Sequence, residues 1–152
     1  MSKMTFTRHA KLILVGEHAV VRGHPGIVVP HHSKQITLDY TPQPDTDYTA
    51  NTHQAEWVLD NHFNHVWSIA MQFLKQPIAP LKGHIHLDNH IPIALGCGFS
   101  AAFSVVIAEL AYHVIHKEQP CAEKLYALAK HLEDYFHGKS SGIDIMGVIY
   151  PQ

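Results

Sequence analysis

The stretch from Ser100 to Lys117 constrains this chain more than any other. Phe103, Val106, Ile107, Leu110 and Val114 recur at helical spacing, with Glu109, His113, His116 and Lys117 opposite them, which predicts an amphipathic helix with one face in a core. Leu95-Gly96-Cys97-Gly98-Phe99-Ser100-Ala101-Ala102 leads into it. Gly96 and Gly98 permit backbone conformations that other residues resist. Ser100, Ala101 and Ala102 put small side chains and unpaired N–H groups at the helix start, where the dipole is positive; that combination suits a phosphate. The spacing is neither GxxxxGK[ST] nor GxGxxG, so on its own the segment reads first as a turn.

The rest of the chain predicts an α+β domain with a mixed sheet packed against helices. Lys11–Val15 and Gly26–Pro30 read as short apolar strands, and Gln35–Tyr40 as a half-buried one. Thr41–Thr52, with Pro42, Pro44, Asp45 and Asp47, reads as a loop without an apolar anchor. Helical spacing covers Gln54–Leu74, ended by Pro77 and Pro80, and again Ala122–Phe136. His84-Ile85-His86-Leu87-Asp88 alternates as a strand with its histidines toward water. His137–Gly142 reads as a turn and Ile143–Tyr150 as a final strand.

Composition excludes several functions. Eleven Lys and Arg against 13 Asp and Glu give a net charge of −2, without the basic footprint of a nucleic-acid binder. No apolar run approaches the roughly 20 residues of a membrane span, and Met1–Thr5 lacks the apolar region of a signal peptide, so a cytoplasmic location is expected. Cys97 and Cys121 match no zinc or redox spacing and are expected to be reduced thiols, with Cys97 the more reactive beside a helix start. Fifteen histidines fill much of the polar surface. The pairs His31-His32, His62 with His65, His84 with His86 and His113 with His116 each lack a third ligand at convincing spacing, although His90 is near the third pair, so they read as surface groups.

Three segments in order carry a family resemblance. Lys11 to Pro25, with Gly-Glu-His-Ala-Val-Val at its centre, resembles the first motif of the mevalonate kinases in the GHMP small-molecule kinase superfamily. Ile91–Ala102 resembles the family's phosphate loop, and His137-Gly-Lys-Ser-Ser-Gly-Ile-Asp144 its third conserved segment. The resemblance implies a GHMP N-terminal, ribosomal protein S5 domain 2-like fold over residues 1–152 and ATP-dependent, Mg²⁺-assisted phosphorylation of the primary hydroxyl of mevalonate. It implies Asp144 as the residue that accepts or orients the hydroxyl proton, and Lys11 as the cation on substrate and phosphate. Gly96, Cys97, Gly98, Ser100 and Ala101 would bind ATP phosphates, Ser100 and Glu133 would hold Mg²⁺, and Glu17 and His18 would face the substrate.

The chain departs from the family pattern in places. Phe99 stands where a serine is usual, beside the expected triphosphate, where its ring either crowds the nucleotide or turns away. Ser140 replaces a proline, and His9-Ala10 replaces Pro-Gly before the lysine. The sequence ends eight residues after Asp144, whereas the family continues into a second domain that closes over the substrates. The expectation is therefore an N-terminal half lacking the C-terminal GHMP domain and incomplete as a catalyst alone, completed by a separate C-terminal half or by self-association. The alternative is a non-catalytic remnant that keeps the fold and at most weak nucleotide binding.

Overall fold

The period-two segments form one four-stranded sheet in the computed structural model, which describes residues 3–15, 27–45, 48–56, 62–92, 98–138 and 142–150. Strand β1 (Met4–Val15) pairs antiparallel with β2 (Ile27–Thr41), and β2 pairs antiparallel with β4 (His84–Asn89). Strand β3 (Thr49–His53) lies parallel to β4 at the edge, giving the order β1-β2-β4-β3. A parallel pair needs a crossover, and helix α1 (Phe63–Phe73) lies between β3 and β4 in the chain. Helices α2 (Phe99–His116), α3 (Ala122–His137) and α4 (Ile143–Ile149) follow.

Alternation gives the sheet two unlike faces. Phe6, Leu38 and Leu87 stand in one cross-strand row, with Tyr40 and Ile85 in the next, and all are buried against the helices. Each such side chain contributes about 1.5–3 kcal/mol on leaving water. Thr5, Asp39, His86 and Asn51 form a row on the opposite, polar face, where the Thr5 hydroxyl donates to Asp39 at 2.6 Å. The outward histidines of β4 are thus where the alternation places them.

Helix α2 is more enclosed than its sequence suggests. It packs on β1, β2, α1, α3 and α4, and every residue from Ala101 to Tyr112 is buried. Glu109, expected on a solvent side, is 6% exposed and meets Arg8 of β1 with Nε 2.6 Å from Oε1. A buried carboxylate is tolerated only with such a partner. Among the described residues α2 is also the one helix long and apolar enough to cross a membrane, but 72% of it is buried inside the fold, as befits a core helix.

Other segments differ from expectation for identifiable reasons. The two apolar runs Gly26–Pro30 and Gln35–Tyr40 belong largely to one strand, because β2 bulges past the His9–Ala10 step of β1 instead of breaking at its polar 31–34 stretch. Part of the supposed loop Thr41–Thr52 is β3, and Tyr48 stacks on Phe63 with ring centroids 4.9 Å apart, supplying the missing anchor. Within Gln54–Leu74, α1 begins at Phe63, and 57–61 lie outside the described residues. Ile143–Tyr150 is not a strand: α4 occupies Ile143–Ile149, with Ile145, Val148 and Ile149 buried at i, i+3 and i+4 spacing. Packing on β1 and β2 overrides the strand preference of these β-branched residues.

Candidate active site

Four elements bring polar groups to one place at the start of α2. Gly98 caps that helix with φ 80°, and its carbonyl accepts the Ala102 N–H at 3.0 Å. A Cβ at Gly98 would stand 2.6 Å from Cε and 2.8 Å from Cγ of Lys11, so the missing side chain is what lets the lysine stem lie against Gly98. Lys11 itself is 3% exposed, and its Nζ meets Asp144 Oδ1 at 2.5 Å. Asp144 lies in the first turn of α4, after Gly142 at φ 85°, and its side chain keeps 30% exposure. A side chain at Gly142 would collide with the Tyr126 hydroxyl of α3, so close approach of α3 requires glycine there too.

Glu133 of α3 completes the group from within. It is fully buried, accepts the Ser100 hydroxyl at 3.0 Å on Oε1 and the Ser104 hydroxyl at 3.4 Å on Oε2. Burial pushes its carboxyl from the ordinary 4.5 up to about 7; the negative charge of Asp144 also raises it, while the two serine hydroxyls and the Lys11 cation pull the other way. Two carboxylates, one ammonium and two hydroxyls therefore share one small site. Hydroxyl and carboxylate oxygens 3.0 Å apart, with the carboxylate buried and its ionisation opposed by desolvation, fit a hard divalent cation such as Mg²⁺.

The structure thus unites Lys11, Ser100, Glu133 and Asp144, four residues singled out from sequence, and places Gly98 and Ala101 beside them at the helix start. Gly96, Cys97, Glu17 and His18 lie outside the described residues, as do 139–141 of the third segment. Ser104 was missed by sequence reading, although its i+4 relation to Ser100 puts both hydroxyls on one helix face. Cys121 is a free, exposed thiol at the start of α3.

Phe99 packs into the core. It is 6% exposed and stacks on Phe103 at a centroid distance of 6.0 Å, and Phe103 in turn meets Phe136 edge-on at 6.1 Å. The ring that replaces the usual serine is thus a core residue. Phe99→Leu should cost about 1–2 kcal/mol in urea unfolding, through lost packing, and leave nucleotide affinity within error. A large gain in affinity would instead mean the ring obstructs the loop.

Comparison with known proteins decides the family. The family model for the GHMP kinases N terminal domain matches residues 64–152. The chain belongs to the GHMP kinases. It is 32% identical to the mevalonate kinase of Aeropyrum pernix, an alignment covering 89% of this chain and 44% of that protein. The crystal structure of the Methanococcus jannaschii mevalonate kinase superposes with a TM-score of 0.78 at 20% identity, over 99% of this chain and 52% of that one. Lactococcus lactis galactokinase complexed with galactose superposes with a TM-score of 0.79 at 13% identity, over 99% and 42%. The GHMP chain therefore spans about half the length of these relatives. Its architecture is the GHMP N-terminal fold, with a mixed sheet and four helices among the described residues. Likeness at 13–20% identity shows the fold and does not choose between sugar and mevalonate as substrate.

Proposed function

We propose that this chain is the phosphate-binding and catalytic half of a mevalonate kinase, transferring the γ-phosphoryl group of ATP to the primary hydroxyl of mevalonate. The observation that carries the reading is the convergence of Lys11, Ser100, Glu133 and Asp144 from β1, α2, α3 and α4 on one site. Sequence identity to a mevalonate kinase and the Gly-Glu-His-Ala-Val-Val segment favour mevalonate within the family.

The hydroxyl oxygen bonds to the γ-phosphorus as the bond to the β,γ-bridging oxygen breaks, and ADP departs with that electron pair. Asp144, partly exposed, takes the hydroxyl proton or orients it, and Lys11 holds the aspartate and offers positive charge to the equatorial oxygens. N–H groups at the start of α2 bind phosphate oxygens. Ser100 and Glu133 would hold Mg²⁺, which supplies charge neutralisation to the phosphates when bound. Glu17 and His18 are proposed substrate contacts by family position.

Water exclusion and positioning require a closed cleft. We assign that closure to a C-terminal half like the one its relatives' greater length leaves room for, which would cover the exposed Met146 and Tyr150 at α4. Titration calorimetry with Mg-ATP, on the wild type and Asp144→Ala, followed by a coupled mevalonate assay, tests the reading. Binding by the isolated chain with turnover only after the C-terminal half is added is the expected result. Absence of nucleotide binding would make the chain a non-catalytic remnant.

A further inference from the structure

We propose a second metal site on the far side of the sheet, formed by His53, Asp88 and His90 and suited to a borderline divalent cation such as Zn²⁺. Their ligand atoms all lie within 4.8 Å of one another. His53 ends β3 directly opposite Asp88 of β4 in the parallel register, and His90 follows β4 with Nε2 3.1 Å from Asp88 Oδ1. The two imidazole rings stand 5.2 Å apart, both exposed. Around a tetrahedral ion with bonds of about 2.0–2.2 Å, neighbouring ligand atoms are about 3.4 Å apart. The Asp88–His90 gap already matches, and rotation of the exposed His53 ring closes the remainder.

The frame behind these ligands is built. Asn89, 1% exposed, donates to the Gln54 carbonyl at 3.1 Å and to the Ile91 carbonyl at 2.9 Å, and accepts the Ile91 N–H at 2.9 Å. It thereby fastens the residue after His53 to the residue after His90. The His90 N–H is itself held by the Gln35 carbonyl at 2.9 Å. Both histidine-bearing backbones are thus fixed, chiefly through buried Asn89, while among the described residues the exposed rings meet only each other and Asp88, the third proposed ligand. Neighbouring His84 and His86 differ: both direct a ring nitrogen to one neutral partner, the Asn51 Oδ1, at 3.0 and 2.9 Å.

Two imidazoles and one carboxylate are a donor set for zinc, cobalt or nickel and a poor one for Mg²⁺, so this site does not compete for the cation proposed at Ser100 and Glu133. Water would complete the coordination. The ion would tie the edge strand β3 to the segment that leaves β4 and reaches Gly98 eight residues after His90. Fifteen histidines make adventitious binding the obvious rival, and the engaged pair provides its control.

Zn²⁺ binding by equilibrium dialysis and thermal shift, on the wild type, on His53→Gln with His90→Gln, and on His84→Gln with His86→Gln, separates the two. Circular dichroism on each variant confirms the fold. The expected result is one tightly held Zn²⁺ per wild-type chain, with affinity reduced at least about tenfold in the first double variant and unchanged in the second. The thermal stabilisation by Zn²⁺ should vanish with it. Less than one ion per chain, or equal losses in both folded double variants, would overturn the site in favour of scattered surface binding.

Discussion

Asp144→Asn should lower phosphoryl transfer by about 10²–10⁴-fold, the usual worth of a positioned general base, when assayed with the C-terminal half present. An amide has almost the same shape and cannot take the hydroxyl proton. It also leaves Lys11, buried and 2.5 Å from the native carboxylate, without its anion. A second carboxylate that feels Lys11 is Glu133, whose ionisation is opposed in part by the charge on Asp144 and aided by Lys11. Removing the Asp144 charge should therefore move the Glu133 carboxyl downward from about 7, toward the ordinary range. That shift is readable by carbon NMR on the isolated chain and needs no turnover. A variant that stays within about threefold of wild-type activity would reduce Asp144 to a counter-ion for Lys11, since a lost general base costs far more.

Lys11, Ser100 and Asp144 were legible because they lie in three segments whose order matches a family. Family position, not local pattern, is what promoted Glu133: in isolation it is an acidic residue beside an apolar stripe on α3. Its burial, and hence its raised pKa, depends on α2 and α4 closing over it, which no window of sequence expresses. Glu109 shows the same gap in reverse. Helical periodicity turned it outward, yet α2 is surrounded and Arg8, 101 residues away, neutralises it.

Period-two strands were readable where one face is apolar and the other polar, as in β4 with its buried Ile85 and Leu87. The edge strand β3 was not, because its five residues are mostly exposed and carry no apolar face. Consequently its register against β4 could not be foreseen, nor the meeting of His53 with Asp88 and His90. Helix α4 failed for a different reason. Ile-rich segments favour strands intrinsically, and a left-handed glycine cap with three inward positions at helical spacing outweighed that preference.

Glu133 should make the metal-free chain lose stability as pH rises, and Glu133→Gln should abolish that component. Its folded-state pKa of about 7 lies above the ordinary 4.5, so between these values the folded chain holds a proton that the unfolded chain has released. The contribution is fully present below pH 4.5 and is lost as pH climbs through 7. Two and a half pH units at 1.36 kcal/mol each amount to about 3 kcal/mol. Glutamine copies the protonated acid in shape and cannot ionise, and a difference between the two proteins cancels the titration of the fifteen histidines. Urea unfolding in EDTA should then show the wild type losing about 3 kcal/mol relative to Glu133→Gln between pH 4.5 and pH 8. A flat difference would mean that Glu133 ionises in the ordinary range. Mg²⁺ added at pH 8 should restore the wild type and not the variant, because a cation beside Ser100 meets a carboxylate already stripped of its proton. On this account the buried acid is an unfavourable charge in the empty site, and the Mg²⁺ that relieves it enters more readily as pH rises toward 7.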